Sequence, residues 1–303
     1  MSETIAINDV GPRDGLQNQA KILDPEDRLR LIDALTAAGV ERVEIGAFVS
    51  PKAVPAMAGA DRIVAGVAGK AGDFSVLIPN MKGYELAVAA GARAVGMVLY
   101  GSDGMAQANV RMSMQEANDQ ADAIIERARE DGVRVFATVS VAFECPFDGP
   151  TDPEIVHASV DHFMEAGADL VLVADTIGAA NPSQVRSMLD PMVARHGAER
   201  LGCHFHDTRA MGLANVFAAI ESGVRRFDAS IGGLGGCPFA PGASGNVATE
   251  DVVMMVHQMG FETGIDMTAL LEAADLAREL TGTAPGGRSS PWLKQHFAKA
   301  ANA

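Results

Sequence analysis

Two histidines stand two residues apart in the string His204-Phe205-His206-Asp207. On an extended chain, residues two apart face the same side. Both imidazoles then point one way, and a pair of imidazoles at a strand end makes an edge for a metal. A single histidine in an apolar strand is more often a satisfied core residue; the pair brings the metal reading level with that one. A carboxylate and an amide extend the set: Asp14, in the turn Val10-Gly-Pro-Arg-Asp-Gly-Leu-Gln17, and Asn246, which ends the glycine-rich segment 231–246. Asp14, His204, His206 and Asn246 offer one carboxylate, two imidazoles and one amide oxygen. This mixed set with few anions leaves octahedral positions for water or substrate oxygens. It suits Mg²⁺ or Mn²⁺ and leaves Zn²⁺ and Co²⁺ open.

Three further residues stand where chemistry is expected. Arg13 is next to Asp14 on the same turn, where a solvated charge pair is the plainer reading. Glu44, expected at the end of the second strand, is either paired with a cation or poised for proton transfer. Cys237 lies within the glycine-rich segment, whose backbone can move or approach a ligand closely. It is either an incidental residue or a reactive thiol.

These residues need a scaffold, and the chain alternates short β-branched runs with longer Ala-rich stretches. Strands are expected at Thr4–Ile7, Arg42–Ile45, Phe74–Ile78, Ala94–Leu99, Val133–Val141, Asp169–Val173, Leu201–Phe205 and Arg226–Ser230. Helices are expected at Pro25–Ala38 behind an Asp24 cap, at Ser113–Glu130 behind a Ser113/Glu116 capping box, at Pro182–Arg195 and at Arg209–Glu221. About eight strand–helix units match an α/β fold of the (β/α)8 TIM-barrel type with extra C-terminal helices. Continuous alternation excludes an all-β fold or a helical bundle. An open doubly wound sheet gives the same alternation, but no Gly-x-Gly-x-x-Gly follows the first strand. In a barrel the candidate residues would gather at the C-terminal ends of the strands. The expected organisation is one barrel domain, 1–303, with 261–303 as a helical extension.

Composition narrows the class. With 24 Lys+Arg against 39 Asp+Glu the formal charge is −15, and there is no dense basic run. Nucleic-acid binding is not expected. An anionic substrate would need local cations, for which Lys52, Lys82, Arg111 and Arg209 are available. Three cysteines do not suggest a disulfide framework. The first residues show no basic region followed by an apolar stretch, and no apolar run reaches the ~20 residues of a membrane span. The expectation is a soluble cytoplasmic protein acting on a small molecule, as a homodimer or higher homo-oligomer.

At this point the motifs carry a resemblance. Val10-Gly-Pro-Arg-Asp-Gly-Leu-Gln-Asn18, Phe48-Val-Ser-Pro-Lys52, Asp175-Thr-Ile-Gly178, His204-x-His-Asp-Thr208, Gly232-Gly-Leu-Gly-Gly-Cys-Pro238 and Gly245-Asn246 resemble, in order, the motifs of 3-hydroxy-3-methylglutaryl-CoA lyases. The similarity runs from about residue 5 to about residue 275. The cysteine-bearing glycine loop is the most specific motif; the Arg-Asp turn and His-x-His are shared with a wider metallolyase superfamily. The resemblance implies a TIM barrel and metal-dependent cleavage of a CoA thioester. It implies Asp14, His204, His206 and Asn246 as metal ligands and Arg13, Glu44 and Cys237 as functional residues, with His204 or Asp14 taking the proton. Leucine breakdown is the family's usual setting. The sequence departs from the family at Gln107-Ala-Asn-Val-Arg111, at Leu172 and at Arg209-Ala210, which bear on acyl and CoA contacts. A citramalyl-CoA or other 3-hydroxyacyl-CoA lyase is therefore the first rival, and a Claisen-type synthase the second. A non-haem iron oxygenase and a catalytically inert scaffold complete the alternatives.

Overall fold

The structure is a computed structural model that describes residues 3–236, 245–284 and 286–300. Eight strands form the barrel: β1 (Ala6–Asp9), β2 (Arg42–Ala47), β3 (Asp73–Leu77), β4 (Ala94–Tyr100), β5 (Arg134–Ser140), β6 (Leu170–Asp175), β7 (Leu201–Phe205) and β8 (Arg226–Ala229). Each pairs in parallel with its sequence neighbours, and β1 pairs with β8 to close the ring. β6 and β7 are buried along their whole length, as strands sandwiched between barrel interior and helices must be.

The outer helices are α1 (Pro25–Ala37), α2 (Ala60–Val67), α3 (Met81–Ala90), α4 (Asp103–Val110), α5 (Met114–Asp131), α6 (Pro153–Ala166), α7 (Pro182–His196), α8 (Gly212–Glu221) and α9 (Thr249–Gln258), followed by α10 (Met267–Thr281) and α11 (Ser290–Ala300). Local chemistry sets their starts. The Asp24 carboxylate accepts the Asp27 N–H at 2.8 Å, and the Ser113–Glu116 capping box forms as its sequence demands. At Gly39 the chain turns with φ +91°, and a Cβ there would stand 2.3 Å from the Gly264 carbonyl oxygen. Only glycine fits that crossing between α1 and the segment leading into α10.

Several sequence expectations are corrected. The first strand is Ala6–Asp9, two residues later than Thr4–Ile7. Thr4 makes only an isolated bridge to Glu262, while polar Asn8 and Asp9 pair with Asp228 and Ala229. The parallel pairing with β8 and the burial of Asp9 override the weak strand propensity of these two residues. Glu44 is the third residue of a six-residue strand, not its end. The eighth helix begins at Gly212, not Arg209, because Asp207 Oδ1 takes the Gly212 N–H at 2.8 Å. Helix α4 and a two-residue ladder, Glu144–Cys145 with Gly149–Pro150, add to the expected elements.

The barrel interior is not filled. Small inward residues such as Ala6, Ser75 and Gly96 leave a cavity of about 720 Å³ that reaches up to His204 and His206. Barrel cores are usually packed with bulky branched side chains. This one gives up part of that packing to make room at the C-terminal mouth. Among the described residues, no helix is long and apolar enough to cross a membrane.

Candidate active site

β1 runs straight into a π-helical turn, Gly11–Gly15, that carries Arg13 and Asp14. Such turns recur at functional sites because they re-aim side chains. Its glycines are required by contact: a Cβ on Gly15 would lie 2.8 Å from Leu234 Cβ. The turn is thereby pressed against residues 231–234, the root of the glycine loop. From the other side, Val247 N–H bonds the Phe205 carbonyl at 3.1 Å and Asp207 N–H bonds the Gly245 carbonyl at 3.1 Å. These bonds hold Asn246 beside His206.

The four candidate ligands meet at this junction. Ligand atoms of Asp14, His204 and His206 all lie within 4.8 Å of one another, and all three residues are buried. His204 Nε2 and His206 Nε2 are 3.1 Å apart, and His206 Nε2 is 4.0 Å from Asp14 Oδ2. Asn246 Nδ2 donates to Asp14 Oδ2 at 2.7 Å, while its buried Oδ1 has no hydrogen-bond partner among the described residues. Two facing imidazole nitrogens, a carboxylate and an orphaned amide oxygen are the donors a divalent cation satisfies, so these residues fit a metal.

Electrostatics supports the same reading. Burial would raise the Asp14 carboxyl, but Arg13 and the two histidines outweigh it and hold it at about 2. Burial, helped by His204, lowers His206 to about 4, leaving it neutral as a ligand must be. Burial also works against His204, yet its bond to Asp228 prevails and raises it. Asp228 Oδ2 lies 3.0 Å from His204 Nδ1, and its Oδ1 accepts Asn8 Nδ2 at 2.8 Å. A carboxylate behind a metal-facing imidazole fixes ring orientation and tautomer.

Arg13 spans the site. Its Nη1 donates to Asp14 Oδ1 at 2.7 Å and its Nε to Glu44 Oε2. Burial disfavours the guanidinium charge, but Glu44 and Asp14 more than restore it. Glu44 is driven upward chiefly by burial, with Arg13 opposing. Arg13 is thus a fixed cation facing the cavity, with its orientation set from two sides.

Of the residues singled out in the sequence, Arg13, Asp14, Glu44, His204, His206 and Asn246 come together, while Cys237 lies outside the described residues. Asp228 was not singled out. The polar alternation Arg226, Asp228, Ser230 in a buried strand was the signal available for it. Tyr100 and Asn109 at the cavity wall carried no such signal. Arg209, offered as a cation for CoA, is engaged otherwise: its Nε donates to the Gly178 carbonyl at 2.9 Å and its Nη2 to that of Ala179. It pins the turn after β6.

A closed parallel barrel with this polar cluster at its C-terminal mouth defines a barrel enzyme. The HMGL-like family profile matches residues 4–277, and the chain belongs to that family, as a carbon–carbon lyase. It is 43% identical over 284 residues, 90% of each chain, to the (R)-citramalyl-CoA lyase of Chloroflexus aurantiacus. It is 38% identical to the hydroxymethylglutaryl-CoA lyase of Pseudomonas mevalonii, covering 98% of this chain and 99% of that one. The crystal structure of hydroxymethylglutaryl-CoA lyase from Pseudomonas aeruginosa superposes with a TM-score of 0.93 at 37% identity, covering 98% of this chain and 99% of that one.

Proposed function

We propose that this chain is a divalent-metal-dependent acyl-CoA lyase that cleaves 3-hydroxy-3-methylglutaryl-CoA to acetoacetate and acetyl-CoA. The observation that carries the reading is the convergence of Asp14, His204, His206 and Arg13 on one cavity. Asp14, His204, His206 and Asn246 would hold Mg²⁺ or Mn²⁺. Bound there, the cation would supply Lewis acidity at the substrate's tertiary hydroxyl, lowering its pKa.

The protein's own groups account for the rest. The hydroxyl proton passes to His204 or Asp14: Asp14 would keep a second carboxylate oxygen to take it, whereas Asp228 holds the proton on His204 Nδ1, so His204 could take it only on an Nε2 not engaged by the cation. The O–H pair becomes the new ketone C=O, the C2–C3 bond breaks, and its electrons form the thioester enolate. Arg13 places fixed positive charge where that enolate oxygen develops. Glu44 and Asp14 hold the guanidinium in place. Cys237, in the glycine-rich sequence segment 231–246, is assigned the return of a proton to the enolate carbon on the strength of the sequence motif.

One observation favours a second substrate. The 43% identity with a citramalyl-CoA lyase, together with Leu172 in the cavity wall, supports citramalyl-CoA, giving pyruvate and acetyl-CoA. Both thioesters should be offered to purified protein, first with EDTA and then with Mg²⁺ or Mn²⁺ restored. Metal-restored release of acetyl-CoA supports the proposal, and the accompanying keto acid identifies the substrate. Equal rates with and without EDTA would overturn the metal dependence.

A further inference from the structure

The barrel has a second charged end. Arg42, Asp73, Arg134 and Arg226 are the first residues of β2, β3, β5 and β8, so they stand on the N-terminal rim, opposite the mouth that holds His204 and His206. In a chain of formal charge −15, three arginines here act on one aspartate. That aspartate is already committed. Arg134 engages both Asp73 oxygens, Nη1 to Oδ2 at 2.9 Å and Nη2 to Oδ1. Arg42 Nε stands 3.9 Å from Asp73 Oδ2, and Arg42 Nη1 3.6 Å from Glu41 Oε2, both beyond hydrogen-bond length. Asp169, the other carboxylate acting on Arg134, accepts the Val135 N–H at 2.7 Å.

Arg42 and Arg226 are left with unspent donors. Among the described residues, no acceptor is hydrogen-bonded to either guanidinium, and no carboxylate lies within ion-pair distance of Arg226. Burial lowers the Arg226 guanidinium, Arg42 lowers it further, and Asp73 opposes without restoring it. Each guanidinium carries five N–H donors in a planar fork. Strand order brings the two together. β1 lies between β8 and β2, with Ala6 opposite Arg226 and Asn8 opposite Arg42. Two strand spacings separate their backbones by roughly 10 Å. Both arginines line the cavity, and Ala6 between their strands fills little of it. Like charges held this close repel, and a cavity wall screens them less than open water does.

From this geometry we infer that Arg42 and Arg226 form an anion site at the N-terminal end of the barrel cavity, taking the phosphate group of free phosphate or of a phosphate monoester. A single carboxylate fills one guanidinium fork. A tetrahedral dianion presents oxygens to two forks at once and cancels the repulsion between them. Phe136 and Leu170, also in the cavity lining, offer an apolar place for the organic part of a monoester. The site is separate from Arg13 and the metal candidates, and it stands whether or not the lyase reading does.

The test is calorimetric titration and thermal melting with inorganic phosphate, in EDTA at low ionic strength, on wild type, Arg226→Gln and Arg42→Gln. Phosphate should raise the Tm of wild type more than sodium chloride of equal ionic strength does. Each variant should bind phosphate about 10- to 100-fold more weakly, as for loss of hydrogen bonds to a charged group. Because Arg226 makes no hydrogen bond to the described residues, Arg226→Gln should keep or raise Tm in phosphate-free buffer. Arg13 is intact in all three proteins, so the difference between them reports the N-terminal end of the cavity alone. Titration with phenyl phosphate separates the two sources: binding tighter than inorganic phosphate supports a monoester, and equal or weaker binding supports free phosphate. A Tm gain that chloride reproduces, or phosphate affinity unchanged in Arg226→Gln, overturns the site. So does a wild type indifferent to phosphate with a lowered Tm in Arg226→Gln, which would make Arg226 part of a stabilising ion network.

Discussion

Asp228 Oδ2 lies 3.0 Å from His204 Nδ1, and the pair sits directly behind the imidazole face that meets His206 and Asp14. Adjacent strands enforce it, since Asp228 on β8 and His204 on β7 are register partners. The carboxylate holds the proton on Nδ1 and turns Nε2 toward the site.

Asp228→Asn should therefore weaken divalent-metal binding without unfolding the barrel. A primary amide can present its N–H₂ to Nδ1 and favour the wrong tautomer. Titration with Mn²⁺ should show affinity reduced about 10- to 100-fold, the usual cost of losing such an outer partner. Unchanged affinity would mean that His204 does not face a metal.

Arg13 makes two directed contacts at once, to Glu44 and Asp14, through different nitrogens. Lysine carries the charge but cannot reproduce this fork. If Arg13 stabilises the enolate oxygen, Arg13→Lys should lower kcat by about 10²- to 10³-fold, as for loss of one oxyanion donor, with little change in KM. Steady-state kinetics on the cleaved thioester decide this. A variant with unaltered kcat would remove Arg13 from the transition state.

How far the sequence discloses this site follows from its physics. His204 and His206 are legible because a strand's two-residue period puts both on one face: His204 lies in β7, and His206 follows its last residue, bridged to Asn246. Arg13 and Asp14 are legible as a polar turn after a strand, but the π-helical geometry that aims them is not. It depends on Gly15 meeting Leu234, more than two hundred residues away. Glu44 was expected at a strand end and lies inside the strand, because the run Arg42–Ala47 continues through two small residues, Gly46 and Ala47, that carry little strand signal. Asp228 shows only as one polar residue in a buried strand, and Tyr100 not at all; what distinguishes them is the side chain each meets, His204 on the adjacent strand and Asn109 on α4. The barrel itself was legible, since eight alternating units leave few topologies open.

Asp9 gives a pH prediction. Burial, helped by the charge of Glu250, raises its carboxyl from 3.8 to about 7, against the hydrogen bonds from Thr249 and Gly11. Between these two values the folded chain holds a proton that the unfolded chain releases. Stability from this group is complete below about pH 4 and is lost as pH rises through 7. The slope approaches about 1.4 kcal/mol per pH unit for one proton. Asp175, raised to about 6 by burial, adds in the same direction. Tm should fall between pH 5 and 7.5, and Asp9→Asn should remove part of that fall. An identical profile in the variant would show that Asp9 titrates normally.

Gly245 tests how tightly the metal candidates depend on the glycine loop. A Cβ at this position would stand 2.4 Å from the Gly233 carbonyl oxygen and 2.9 Å from Gly235 N. Both obstacles are backbone, so the chain must move instead of a side chain swinging away. The moving segment carries Asn246, whose amide reaches Asp14 at 2.7 Å, and the Gly245 carbonyl that accepts from Asp207 N–H. Gly245→Ala should cost about 1–3 kcal/mol of stability, as forced overpacking does. It should also weaken Mn²⁺ binding in the same direction as Asn246→Ala. Calorimetric titration and thermal melts on the two variants separate the effects. If Gly245→Ala lowers Tm while Mn²⁺ affinity stays at the wild-type value, Asn246 is not held to the metal position by this crossing, and its amide oxygen beside Asp14 serves some other purpose.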